Sequence, residues 1–207
     1  MDNDGWFILT NGRYILEHGI PYENLFTWVE GLDVVLQQWA YSVVVYSIYQ
    51  WFKVPGIFLF CCLLHIACLI LFCKIAKLKQ VDTKTALVLS SVMLLIGSGF
   101  LSIRPTFITI LLLLWQVYVL EQYRKDGKAW KLWQLVLISL FEINFHAAIW
   151  PFHFVMLLPY LVPPIKNFFV KFKPKDYSIN PFLIVIPLMA AVGFLNPYGI
   201  DGIKYVF

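Results

Sequence analysis

Residues 55–73 read PGIFLFCCLLHIACLILFC, a run of nineteen residues without a charged side chain. A helix that crosses the hydrocarbon core of a bilayer needs about 20 mostly apolar residues, with a range of roughly 17 to 25. The run therefore predicts a transmembrane helix. Five further segments have a similar apolar character, and they cover residues 85–103, 105–120, 132–150, 151–165 and 181–195. The sequence thus predicts an all-α fold, a polytopic transmembrane helical bundle.

The composition of the whole chain is typical of a membrane protein. Of its 207 residues, 60% are hydrophobic and only 14% are charged. A soluble domain carries roughly 25% charged residues, so this balance excludes a cytosolic enzyme, a disordered tail and a nucleic-acid-binding protein. The cysteines all lie in one apolar stretch, where we expect them to act as small apolar side chains without disulfides; they are Cys61, Cys62, Cys68 and Cys73.

Positive charges indicate which loops face the cytoplasm. The loops at 74–84, 121–131 and 166–180 each carry four Lys or Arg residues. Such residues concentrate in cytoplasmic loops, and two predicted helices separate each of these loops from the next. We therefore expect all three loops on the cytoplasmic side of the plasma (inner) membrane. The N-terminal segment, the Arg104–Pro105 turn and the chain from Asn196 onward are then expected at the outer face.

The segment 33–52 is amphipathic rather than uniformly apolar. Its polar side chains, together with Lys53 just after the segment, fall within an arc of about 80° on a helical wheel. They are Gln38, Ser42, Tyr46, Tyr49 and Lys53. Such a helix either lies in the membrane interface or spans the bilayer with its polar stripe against other helices. The loop charges favour an amphipathic interfacial helix in an N-terminal outer loop. We accordingly expect an outer-face loop with juxtamembrane helices at 1–54, a six-helix transmembrane region at 55–195, and the start of another outer-face loop at 196–207.

This topology brings an unusual set of polar side chains to one face of the membrane. The free-energy cost of placing an ionisable group at membrane depth is high, so such a group usually faces a cavity and has a function there. We therefore expect one polar cavity that opens to the outside, formed by Asp2, Asp4, Arg13, Arg104, Asn144, His146, Asn196 and Tyr198.

Most of these residues also have a purely structural interpretation. Arg104 either extends its guanidinium to the interface or binds an anion such as phosphate. Glu142 and His146, one helical turn apart, either pair with each other or contact a substrate or lipid phosphate. The N-P-Y-G run that begins at Asn196 ends a helix and forms a turn, or it lines the cavity. His65, inside the first span, is expected to make an interhelical hydrogen bond.

Asp2 and Asp4 are two carboxylates separated by one residue. Such a pair binds a divalent cation, Mg²⁺ or Mn²⁺, through hard oxygen ligands, or it supplies a general base. The third alternative is a solvated acidic terminus. The pair alone does not decide among them.

Several motifs follow one another in a set order along the chain. Residues 2–21 read DNDGWFILTNGRYILEHGIP, in which a D-x-D and aromatic residues precede a G-R-x-I-L-x-x-G-x-P run. Further elements are residues 24–28, Gln38–Trp39, Arg104–Pro105, Asn144–His146 and Asn196–Gly199. This order resembles the GT-C superfamily of bacterial membrane glycosyltransferases. Two positions depart from it, since many relatives have His at Ile8 and the family has Glu at Gln38.

The resemblance implies a multi-helix enzyme whose active site faces the outer side of the membrane. Its partners are a sugar carried on a polyprenyl phosphate, membrane lipid, and a glycan or lipid acceptor. By position Asp2 matches the family's catalytic carboxylate and Asp4 is a second one. The residues expected to bind substrate or lipid phosphate are Arg104, Asn144, His146, Asn196 and Tyr198. The family has a helix before the acidic motif and several helices after the N-P-Y-G element, so we expect this chain to be part of a larger protein.

The expected function is inverting transfer of a hexosyl or pentosyl group from a polyprenyl-phosphate donor. Asp2 deprotonates or orients the acceptor hydroxyl, while Arg104 or His146 stabilises the departing phosphate. The alternative is a non-catalytic polytopic membrane subunit or lipid-binding protein with the same fold. Ile8, Gln38 and the missing flanking helices favour that alternative.

Overall fold

The computed structural model describes residues 3–24, 27–29, 31–97, 103–161, 177–178 and 180–206. Within these ranges the chain is all-helical, as predicted, with a single isolated antiparallel bridge between Glu23 and Asp33. The helices are α1 (Asn3–His18), α2 (Trp39–Leu78), α3 (Thr83–Gly97), α4 (Thr106–Asp126), α5 (Trp133–Phe145), α6 (Trp150–Val155), α7 (Leu158–Leu161), α8 (Phe182–Ala191) and α9 (Gly199–Lys204). Short 3₁₀ turns cover Ala129–Leu132, Ala147–Ile149 and Val192–Phe194.

The helix α2 joins the predicted amphipathic helix to the first predicted span. It kinks at Lys53, whose φ of 53° and ψ of −151° are not helical. Pro55 explains the kink, because proline has no N–H to donate and its ring clashes with the carbonyl four residues earlier. The kink separates residues 39–52 from the apolar run. The helix begins at Trp39 rather than at Asp33, because the bridge to Glu23 holds Asp33 in extended backbone.

The polar stripe of the amphipathic part packs against α1. Ser42 is almost fully buried there. A Cβ atom added to Gly12 would lie 2.1 Å from the Ser42 carbonyl oxygen and 2.7 Å from Tyr46 Cβ, so the two helix backbones approach closely. Apolar side chains of α1 and α2 surround this contact, and the buried ones include Ile8, Leu9, Tyr41 and Val45. Ser42 and Tyr46 of the stripe therefore serve helix packing.

Among the described residues, two helices, α2 and α4, are long and apolar enough to cross a membrane. With 21 residues, α4 is about 30 Å long, which matches the hydrocarbon core of a bilayer. The apolar part of α2 leaves large side chains exposed, including Phe58, Leu59, Leu63, Ile66 and Ile70. A continuous exposed apolar surface of this kind suits contact with lipid chains.

The predicted span 132–150 is interrupted. The segment 132–150 is helical in α5 only to Phe145, and His146 leaves the helix with φ −157° and ψ 69°. The amide of Ala147 donates to the Gln37 carbonyl at 2.9 Å. This bond to the segment before α2 takes the place of the next hydrogen bond within α5. Pro151 then lies in the first turn of α6, a position that proline favours.

The remaining predicted spans differ in length from the helices. The segment 105–120 extends to Asp126 as α4, and 181–195 forms α8 and a 3₁₀ turn. The segment 85–103 forms α3 to Gly97, and residues 98–102 lie outside the described ranges, as do residues 162–176. The segment 151–161 forms α6 and α7.

The core lies between α4, α5, α7 and α8. Its fully buried side chains include Val119, Leu120, Leu135, Ile138, Phe182 and Met189. Ile108 of α4 contacts both this core and the α1–α2 cluster, which also includes Ile103. The start of α4 is therefore held against α1 and α2.

The C-terminal half of α4 carries a buried carboxylate with three partners. Glu121 Oε2 lies 2.7 Å from Lys79 Nζ and 2.9 Å from Arg124 Nη2. Glu121 Oε1 accepts a hydrogen bond from the Tyr160 hydroxyl at 2.7 Å. The carboxylate therefore ties the end of α2 and the helix α7 to α4.

Candidate functional site

Asp4 and Arg104 are in direct contact. Arg104 Nη2 lies 2.6 Å from Asp4 Oδ2, and both side chains are about half exposed. Asp4 belongs to the first turn of α1 and Arg104 precedes α4, and the packing of Ile8 and Leu9 with Ile103 brings these segments together. An exposed pair of this kind contributes about 0 to 1 kcal/mol to stability. Arg104 thus has a carboxylate partner, which neither of its two sequence interpretations includes.

The acidic motif is only partly within the described structure. Asp2 lies outside the described ranges, so its placement is not assigned. The guanidinium beside Asp4 repels a cation, and the described part of the chain contains no group of three His, Cys, Asp or Glu side chains that could hold a metal ion. Because Asp2 lies outside the described ranges, the expected Mg²⁺ or Mn²⁺ site at Asp2 and Asp4 stays a prediction.

Asn144 is buried and fully hydrogen-bonded. Its Oδ1 accepts from Trp39 Nε1 at 3.0 Å, and its Nδ2 donates to the carbonyls of Leu140 at 2.8 Å and Leu195 at 3.2 Å. These bonds engage both donors of the amide and its oxygen. Asn144 therefore joins the end of α5 to the start of α2 and to the segment after α8.

Asn196 and Tyr198 form the predicted turn and attach it to the segment after α1. Asn196 Oδ1 accepts from the Tyr198 amide at 2.8 Å, and its Nδ2 donates to the carbonyls of Gly193 and Gly199. The Tyr198 hydroxyl donates to the Pro21 carbonyl at 3.0 Å. Burial raises the pKa of Tyr198, so it remains a neutral donor. The prediction of a helix terminator with a turn is confirmed.

His146 begins a chain of polar contacts that leads into the protein. Its Nδ1 lies 2.8 Å from Thr109 Oγ1, and Thr109 Oγ1 lies 2.7 Å from Glu142 Oε1. Thr109 is in the first turn of α4, so His146 lies at the same end of α4 as Arg104. Glu142 and His146 are therefore bridged by Thr109 rather than paired directly.

The inner end of this chain is completely buried. Glu142 Oε2 lies 3.3 Å from His153 Nε2, and both residues are 0% exposed. His153 Nδ1 is hydrogen-bonded to Gln116 Oε1, and Gln116 Nε2 donates to the His153 carbonyl at 2.7 Å. Sequence reasoning gave His153 no role. The available signal was the seven-residue spacing of Thr109 and Gln116, which places two polar side chains on one face of an apolar helix.

The remaining sequence candidates lie elsewhere. Arg13 pairs with Glu17 on the exposed face of α1 at 2.9 Å. His65 Nδ1 is 2.6 Å from the Cys61 carbonyl of its own helix, and its ring contacts Phe107 of α4. The expected interhelical hydrogen bond is therefore replaced by an intrahelical one. All four cysteines lie in the described ranges and are free thiols, as predicted.

An open pocket lies between α1 and the segment that follows it. Its lining residues are Phe7, Asn11, Pro21, Glu23, Asn24, Val34 and Leu36. Asn11 is 2% exposed, and its Nδ2 has no hydrogen-bond partner among the described residues. A second, smaller cavity touches Trp39, Asn196 and Tyr198. Of the residues expected around one outer cavity, Asn196 and Tyr198 line this smaller cavity, and the single cavity stays a prediction.

Comparisons with protein-family models, with curated proteins and with solved structures found no match for this chain.

Proposed function

We propose that this chain is the membrane-embedded part of a glycosyltransferase that takes a sugar from a polyprenyl phosphate and transfers it to a glycan or lipid acceptor at the outer face of the plasma membrane. The resemblance of the ordered motifs to the GT-C superfamily supports the proposal. The observation that carries it is the contact between Asp4, of the acidic motif, and Arg104, of the Arg-Pro motif. Two motifs that are distant in the sequence are neighbours in space.

The distribution of charge along α4 supports the topology within this proposal. Arg104, Asp4 and His146 cluster at the N-terminal end of α4. Lys79 and Arg124, from two of the three Lys-rich loops, pair with Glu121 in the C-terminal half of α4. A polytopic bundle with cytoplasmic Lys-rich loops and an outer-face site places these groups on opposite sides of the bilayer.

In the proposed reaction, the acceptor oxygen attacks the anomeric carbon of the donor. The bond from that carbon to the phosphate oxygen breaks, and its electron pair leaves with the polyprenyl phosphate. The proton of the acceptor hydroxyl passes to the carboxylate of Asp2. Arg104 binds the phosphate as negative charge develops on it, because a guanidinium presents a planar fork of N–H donors. Direct displacement inverts the anomeric centre.

The non-catalytic alternative has an observation in its favour. Asn144, Asn196 and Tyr198 use their polar groups to hold the fold together. Asp4 and Arg104 neutralise each other. A lipid-binding subunit would keep all of these contacts without the chemistry. The two functions differ in whether the full-length protein releases polyprenyl phosphate.

The test is transfer by the full-length protein in membranes, supplied with a panel of polyprenyl-phosphate hexoses and pentoses. Asp2→Asn is expected to lower transfer by about 100-fold or more, because the proton acceptor is lost. Asp201→Asn is the matched control, since Asp201 is an exposed acid paired with Lys204 on α9, and it should transfer normally. Membrane insertion of both variants should equal that of the wild type.

Two outcomes contradict the proposal. Normal turnover by Asp2→Asn would reject Asp2 as the base. Binding of the donor lipids without any transfer by the wild-type protein would establish the non-catalytic alternative.

A further inference from the structure

Five polar side chains form one continuous series of contacts, in which Glu142 and His153 are at ion-pair distance and the other neighbours are hydrogen-bonded. From the interior outward they are Gln116, His153, Glu142, Thr109 and His146. The series joins α4, α5 and α6 to the residue that ends α5. All members except His146 are buried. Each donor in such a site must therefore face an acceptor within the series.

The first step concerns the tautomer of His153. The side-chain nitrogen of Gln116 donates to the His153 carbonyl at 2.7 Å, which directs the Gln116 oxygen toward His153 Nδ1. An amide oxygen only accepts hydrogen bonds. His153 Nδ1 therefore carries a proton.

The second step concerns the contact between Glu142 and His153. Glu142 Oε2 and His153 Nε2 are 3.3 Å apart, which is an ion-pair distance, and neither atom makes a hydrogen bond among the described residues. The hydrogen bond of the Glu142 side chain is formed by its other oxygen, Oε1, which accepts from Thr109 Oγ1.

The third step reaches His146. Because Glu142 Oε1 is an acceptor, the single hydroxyl proton of Thr109 points toward it at 2.7 Å. Thr109 Oγ1 then accepts from its other neighbour, so His146 Nδ1 carries a proton. This tautomer is the less common one for free imidazole. The neutral ring has its lone pair on Nε2.

We propose that Thr109, whose hydroxyl donates to Glu142, holds His146 as a neutral Nδ1–H imidazole, and that His146 Nε2 binds a hydroxyl group of the sugar substrate by accepting its hydrogen bond. This inference rests on the proposed function and changes one expectation within it, since His146 no longer contacts the phosphate as a cation. Arg104, at the same end of α4, keeps that role. The substrate class that fits Nε2 is a hydroxyl donor, as a sugar provides.

The half-buried position of His146 agrees with this role. Its Nε2 makes no hydrogen bond among the described residues, while Nδ1 is held by Thr109. Fixing one ring nitrogen by a partner defines what the other can bind. Thr109 and Glu142 are accordingly positioning residues that act through His146.

The tautomer is tested by ¹⁵N NMR of histidine-labelled protein in lipid nanodiscs. Wild-type His146 is expected to show a protonated Nδ1 and a bare Nε2 at neutral pH. Thr109→Val removes the bridge and should shift His146 toward the Nε2–H tautomer, whereas Thr109→Ser should keep the wild-type signature. Thr106→Val, three residues earlier on α4, is the matched control and should leave His146 unchanged. A wild-type Nε2–H or imidazolium signature would overturn the proposal.

The ligand class is tested by transfer with two substitutions of His146. His146→Gln retains an acceptor oxygen, and His146→Lys supplies a cation without an acceptor. If Nε2 binds a hydroxyl, the Gln variant should keep the higher kcat/KM, and the Lys variant should lose at least 10-fold relative to it. The reverse order would assign His146 to the phosphate and contradict the proposal. The NMR result does not depend on turnover, so a failure of the proposed function remains distinguishable from a failure of this inference.

Discussion

The pair Glu142 and His153 is the most deeply buried ionisable contact among the described residues, with both side chains at 0% exposure. Glu142 Oε2 and His153 Nε2 are at ion-pair distance and make no hydrogen bond among the described residues, so each has the other as its polar neighbour. Removing one partner leaves the other ionisable group buried without compensation, whereas removing both leaves neither of them. This difference provides a test at the level of single residues.

We predict that Glu142→Leu and His153→Leu each destabilise the protein by about 3 to 5 kcal/mol. The double variant should be less destabilised than the sum of the two single variants, because it leaves neither ionisable group buried without the other. Thermal or denaturant unfolding in detergent micelles gives the three values. Additive losses would show that the two side chains do not stabilise each other.

At the scale of elements, the contact between α1 and α2 positions the acidic motif. Gly12 is the point of closest approach, since a Cβ there would lie 2.1 Å from the Ser42 carbonyl oxygen. A backbone carbonyl cannot move aside as a flexible side chain can. The position of Asp4 beside Arg104 therefore depends on a residue without a side chain, two turns further along α1.

We predict that Gly12→Ala separates α1 from α2 and abolishes transfer, although alanine has the higher helix propensity. The first 18 residues should become more sensitive to limited proteolysis. Thr10→Ala, at an exposed position on α1, is the control and should behave as wild type. Wild-type protease resistance in Gly12→Ala would contradict the close packing of the two helices.

At the scale of the whole molecule, the proposal requires that the two ends of α4 lie on opposite sides of a membrane. Arg104 precedes α4 and contacts Asp4 of α1. Lys79, at the end of α2, pairs with Glu121 toward the other end of α4. The side of the membrane on which each of these two pairs lies can therefore be measured at one residue in or beside each pair.

We predict that a single cysteine replacing Asn3 reacts with a membrane-impermeant thiol reagent on intact cells, in a chain whose native cysteines are replaced by alanine. A cysteine replacing Lys79 should react only after the cells are permeabilised, which makes it the internal control. Protection of position 3 in intact cells would place the acidic motif inside. The outer-face site would then be excluded.

The sequence by itself determined the helical class, the kink position and the apolar α2 and α4. These properties follow from short-range causes, namely hydrophobic length, the missing N–H of Pro55, and the polar stripe of residues 38–53. The N-P-Y-G turn is local as well, since Asn196 bonds within three residues of itself. The amphipathic pattern, however, does not indicate which helix its polar face packs against.

Only the tertiary structure decided how the polar residues pair. His146 ends α5 because the Ala147 amide bonds to Gln37, a contact that no local pattern encodes. His153 pairs with Glu142, Arg104 with Asp4, and Asn144 with Trp39, each across a separate helix or segment. The physical reason is that a buried donor or charge needs a partner, while its own helix rarely supplies one. Sequence spacing shows that such a residue requires a partner, and the packing of helices determines which residue satisfies it.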